Sequence, residues 1–101
     1  MILIPFVGFE INYKVVGRGP ARLKSFTGTC VFDLKRAIET QEKLPTAASL
    51  LKLYVGKHNE AKQDLDVLED LDENEDFDLR ALCLDFGINK RNPISVEIPS
   101  K

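Results

Sequence analysis

The 101-residue sequence has no tryptophan, one methionine, one histidine and two cysteines. Cys30 and Cys83 are too far apart for a metal-binding or redox motif, and they are expected to be two buried thiols of a reducing compartment, with a single disulfide as the alternative. With His58 they could supply at most three metal ligands, too few for a closed zinc site, so no metal and no cofactor are expected. A Cys/His nucleophile would need one thiol beside His58 in space, and no local sequence context supports that. No run approaches the roughly 20 apolar residues of a membrane span. Residues 1–7 are apolar but lack the basic start of a secretory signal. Gly17-Arg18-Gly19 has neither a following glycine nor the Lys-Ser/Thr pair of a phosphate-cradling loop. Asp70, Asp72 and Asn74 match the first, third and fifth positions of a calcium loop. However, Glu75 stands where the sharp turn needs glycine, and Ala81 stands where a bidentate Glu belongs.

What is present is a single small domain, 44 % hydrophobic and 30 % charged, with a net charge of -2. That balance hides an asymmetry. Residues 64–78 hold nine acids and no Lys or Arg, which leaves seven acids against fourteen bases elsewhere, a surplus of +7. The acidic stretch is expected to be a solvated insert, or a docking segment for a basic partner. Its removal over 66–76 is expected to leave the fold intact.

The chain is organised around a helix over residues 31–43, where Val31, Leu34 and Ile38 recur at offsets of three and four. Thr29 is the expected N-cap, Asp33 suits the first turn, and Pro45 ends the helix. A strand over 50–57 follows, in which Leu51, Leu53 and Val55 alternate as on a half-buried sheet. Before the helix, Phe9, Ile11, Tyr13 and Val15 share one face of a strand over 9–16. Gly17-Arg18-Gly19-Pro20 turns the chain into a second strand over 21–26. Pro5 places residues 2–8 at a sheet edge. Leu65, Leu68 and Leu71 suggest a short amphipathic helix, and 77–86 a further one closed by Gly87. Ile94, Val96 and Ile98 alternate in a last strand that stops at Pro99.

This order is that of an α+β, ubiquitin-like β-grasp: a mixed sheet of four or five strands on one main helix, with a core over about residues 9–98. The helix, the Leu44-Pro45 exit, the Gly56-Lys57 strand end and Phe86-Gly87-Ile88 before Ile94 are similar to ubiquitin's own landmarks. A narrower resemblance is to the N-terminal header domain of Crinkler effectors, which oomycetes and some fungi secrete into host cells. Val31-Phe32-Asp33-Leu34-Lys35-Arg36-Ala37-Ile38 fits that family's Val-x-Asp-Leu-Lys-x-Ala-Ile helix pattern. Leu51-Lys52-Leu53-Tyr54-Val55-Gly56-Lys57 is similar to its Leu-x-Leu-(Phe/Tyr)-Leu-Ala-Lys hallmark, with Val55 and Gly56 as departures. Phe6-Val7-Gly8 is similar to its opening strand, which would make residues 2–7 the first strand. The Trp-Leu and acidic signature expected after the Lys is absent or replaced by the acidic stretch.

The resemblance implies a non-catalytic N-terminal domain for trafficking or host-protein binding, secreted into the host cytoplasm or nucleus, with any toxic chemistry in a C-terminal domain. The end Ile98-Pro99-Ser100-Lys101 has no Gly-Gly tail for conjugation and reads as the start of a linker. On the strand, Leu50, Lys52 and Tyr54 fall out of phase with the core set and form the candidate partner-binding patch, unless Leu50 and Tyr54 pack under the long loop instead. The expected partner is a protein, with no small-molecule substrate and no membrane. Lys14, Arg18, Arg22, Lys24, Lys35 and Arg36 could gather on one side, but ordinary solvated charge explains them without nucleic acid. The alternative is a cytoplasmic signalling adaptor, a Ras-binding or PB1-like β-grasp. There Lys14, Arg22 and Lys24 would meet an acidic partner, or the acidic stretch a basic one.

Overall fold

A computed structural model of the chain describes residues 8–28, 30–57, 60–71 and 77–99. Over these described residues the fold is α+β, with one five-stranded mixed sheet and three α-helices. Strands β1 (Phe9–Val15) and β2 (Pro20–Phe26) form an antiparallel hairpin, turned at Gly17 with φ +84°. That backbone conformation costs glycine nothing and strains other residues. Helix α1 (Val31–Glu42) follows, and a 3-10 turn (Ala48–Leu50) leads into β3 (Lys52–Val55). Then come β4 (Gln63–Asp64), α2 (Leu65–Leu71), α3 (Leu79–Asp85) and β5 (Ile94–Glu97). The strand order is β2-β1-β5-β3-β4. β1 and β5 run parallel and the other pairs antiparallel.

The alternation read from the sequence places the core. Ile11, Tyr13 and Val15 of β1, Leu53 and Val55 of β3, and Ile94 and Val96 of β5 point to one face. They share one cluster with Val31, Leu34 and Ile38 of α1. Leu65 and Leu79, at the starts of α2 and α3, close the same core.

Several local expectations are corrected. Cys30 occupies the N-cap of α1 without a side-chain cap bond, and Thr29 lies outside the described residues. The helix ends at Glu42, because Lys43 turns into the left-handed region at φ 53°, before Pro45 is reached. The third strand spans four residues rather than eight, and Leu50 belongs to the 3-10 turn before it. Residues 2–7, with Phe6 and Val7, lie outside the described residues, and β1 over 9–15 opens the described sheet.

The acidic stretch is not a simple solvated loop. It supplies Asp64 of β4, which pairs with Tyr54, and the whole of α2. Asp66 accepts both contacts of the Lys35 ammonium, at 3.0 and 2.7 Å. Asp78 caps α3 by accepting from the Arg80 and Ala81 amides, as an N-cap carboxylate should.

Candidate functional site

The sheet has an inner face buried against α1 and an outer face that no described helix covers. Residues pointing outward are those between the buried ones: Glu10, Asn12 and Lys14 on β1, Ser95 and Glu97 on β5, and Lys52 and Tyr54 on β3. Lys14, Lys52 and Glu97 are exposed, while Asn12, Tyr54 and Ser95 are half-buried. Register turns these into rows across the sheet. Lys14 stands beside Ser95, Ser95 beside Tyr54, and Tyr54 beside Asp64. Lys52 stands beside Glu97 in the next row. The Lys62 ammonium donates to Ser95 Oγ within the first row.

Of the three residues expected to bind a partner, Lys52 and Tyr54 therefore share the outer face. Leu50 is 56 % exposed but sits on the turn before the strand, outside that register. Within the Leu51–Lys57 stretch, Leu51, Leu53 and Val55 are wholly buried and serve the core. Gly56 is buried where a Cβ would come within 3.2 Å of the Ala61 carbonyl and of Lys62. Its own carbonyl accepts from Asn92 Nδ2 at 2.7 Å. Lys57 is exposed.

The basic cluster considered from sequence does not assemble. Lys35 is buried against Asp66. Arg18 Nη1 donates to the Glu42 carbonyl at 2.9 Å and faces its carboxylate at 3.3 Å. Arg22 faces Glu10 at 3.5 Å. The first two cations tie α2 and the hairpin turn to α1, and the third spans the two strands of the hairpin.

The edges of the sheet formed by the described strands are blunted. Between the pairs Phe9↔Phe26 and Ile11↔Leu23, β2 carries two residues, Lys24 and Ser25, against the single Glu10 of β1. This β-bulge, with exposed Lys24 upon it and Pro20 at the strand's start, spoils the regular ladder that another strand would need. The opposite edge, β4, is only two residues long. An open groove of about 860 Å³ runs between β2 and α1, with Phe26, Gly28, Asp33 and Gln41 among its walls.

Burial, then the nearby Asp78 carboxylate, pushes the Cys83 thiol up to about 11, so it stays protonated at neutral pH. Cys30 and Cys83 are both free. Among the described residues no three His, Cys, Asp or Glu side chains are placed to hold a metal ion, and His58 lies outside them. Among the described residues no helix is long and apolar enough to cross a membrane.

The sequence reading missed the turn that precedes β5. Asn89 Oδ1 accepts from the Arg91 and Asn92 amides at 2.7 and 3.1 Å, and Asn92 Nδ2 donates to the Gly56 and Phe86 carbonyls. Two asparagines bracketing Lys90-Arg91, followed by Pro93, are the signal that could have found it.

Residues 9–99 match the model of a family described as a domain of unknown function, DUF8732. No curated protein and no solved structure matches the chain.

Proposed function

The chain belongs to the DUF8732 family, and from that premise we propose that it is a non-catalytic, ubiquitin-like β-grasp domain that binds a protein partner. The strand order β2-β1-β5-β3-β4, with α1 across one face, supports the β-grasp reading. The helix pattern over residues 31–38 and the Leu51–Lys57 motif support its assignment as the N-terminal domain of a secreted effector, working in the host cytoplasm or nucleus.

The observation that carries the binding role is the outer face, uncovered among the described residues, where Tyr54 and Lys52 lie among Lys14, Ser95 and Glu97. Tyr54 offers an amphipathic ring and Lys52 an unburied charge, a pairing suited to a partner's surface rather than to a core. The bulged β2 edge and the short β4 edge favour this face over strand addition. The test is affinity capture from host lysate with the parent chain and with Lys52→Glu/Tyr54→Ala, after equal melting temperatures are established. A partner held by the parent and by Lys24→Ala, but lost by the double variant, supports the reading. Equal capture by all three overturns it.

A signalling adaptor is the second reading, favoured by the separation of charge across the sheet. Arg22 and Lys24 lie on the β2 edge, and Asp64 with the acids of α2 lies at the β4 edge. Steep loss of partner affinity with added salt, together with indifference to Tyr54→Ala, would select it.

A further inference from the structure

A second feature of the outer face lies on the far side of β5 from Lys52 and Tyr54. A cleft of about 360 Å³ is lined by Asn12, Pro20, Ala21, Arg22, Lys90 and Pro93. We propose that this cleft binds a phosphoryl group carried on a small apolar body.

Three features converge on that chemistry. Two cations reach the cleft from separate elements, Arg22 from β2 and Lys90 from the turn before β5, with the Asn12 amide on the strand between β2 and that turn. An arginine and a lysine lining one small cleft supply a recognition pair for an oxyanion, and the Asn12 side chain adds a neutral donor. Lys14, one outward position along β1 from Asn12, adds positive potential to the same face. The remaining walls, Pro20, Ala21 and Pro93, offer stiff apolar surface for the body that carries the phosphate.

Lys90 is also presented on a prepared support. The Asn89 and Asn92 backbones bond each other reciprocally at 3.2 and 3.1 Å, and both side chains are tethered. Little backbone ordering is left for a ligand to impose, so charge and contact convert more directly into affinity. One neighbour opposes binding: Glu10 Oε1 lies 3.5 Å from Arg22 Nη1 and competes for the guanidinium. It offers a handle of opposite sign.

The experiment is an amide NMR titration of the full chain with phenyl phosphate, inorganic phosphate and chloride at matched ionic strength. Saturable shifts centred on Asn12, Arg22 and Lys90 are expected, with phenyl phosphate about tenfold tighter than inorganic phosphate because of the apolar walls. Arg22→Ala and Lys90→Ala should each weaken the site about tenfold, by loss of one charge-assisted contact. Glu10→Gln should tighten it, and Lys24→Ala, which removes a charge outside the cleft, should leave it unchanged. Shifts that do not saturate, that chloride reproduces, or that Lys24→Ala reduces as much as Lys90→Ala overturn the proposal. Each of the four substituted positions is exposed, and unchanged melting of each variant keeps a null result interpretable.

Discussion

The Lys35 ammonium, on a side chain 7 % exposed, meets both carboxylate oxygens of Asp66, thirty-one residues along the chain. The contact joins α1 to α2 and gives the acidic stretch a structural duty. The Asp66 backbone amide is itself held by Asp64 Oδ1 at 2.9 Å, so strand β4 and helix α2 are locked at their junction.

Asp66→Ala leaves a buried ammonium with no counter-charge. Because Asp66 is 42 % exposed and water softens the loss, a destabilisation of about 1–2 kcal/mol is expected. Lys35→Met keeps the packed stem and removes the charge, so its stability should fall within about 1 kcal/mol of the parent. Urea denaturation of the two variants checks the pair. Equal and large losses in both would mean that the ion pair itself, rather than the penalty of one unpaired ammonium, supplies the stability.

Tyr13 carries a phenol that donates to Glu42 Oε2 at 2.8 Å and accepts from Gln41 Nε2 at 2.6 Å. Burial, and then the bond to Glu42, pushes its pKa up to about 12 from an ordinary value of 10.0. The folded state therefore favours the protonated phenol. That stability is intact below pH 10 and is lost as pH rises towards 12. Tyr13→Phe should cost about 1 kcal/mol at neutral pH and flatten the fall in melting temperature across that alkaline window. An unchanged alkaline profile in the variant would assign the fall to other groups.

Cys83 should resist alkylation. Its thiol is buried and protonated, with a pKa raised to about 11, whereas Cys30 is partly exposed. Mass spectrometry after brief iodoacetamide treatment at neutral pH should find Cys30 modified and Cys83 protected until denaturant is added. Equal labelling of both in the native protein contradicts this placement.

Leu53→Asp should abolish folding. The side chain is wholly buried in the core cluster, and an unpaired carboxylate there costs more than about 4 kcal/mol, comparable to the stability of a small domain. Collapse of NMR amide dispersion is the expected readout, and a well-dispersed spectrum would refute the register of the strand.

The elements with a long apolar period were legible in the sequence. Val31, Leu34 and Ile38 announced α1, and Leu51, Leu53 and Val55 announced the inward side of β3, because burial on one face imposes that spacing. Strand β4 was not legible. Its two residues, Gln63 and Asp64, are polar and have no period of their own, and they pair only because β3 offers an open ladder. Lys35 misled for a related reason: a charged residue reads as solvated until its counter-ion is found far along the chain. Of the candidate site, Lys52 and Tyr54 were legible from the alternation. Leu50 was not, since nothing in its neighbours' pattern marks where the strand begins. The cleft beside Arg22 stayed hidden because its walls come from three separate segments.

The extra residue in β2 bears on how the protein behaves in crowded solution. Two molecules brought together along that flank cannot zip into a continuous ribbon without stranding amide groups between Leu23 and Phe26. The chain should therefore withstand concentration to millimolar levels without fibril growth. A variant lacking Ser25, which restores one-to-one register with β1, should seed filaments under the same conditions.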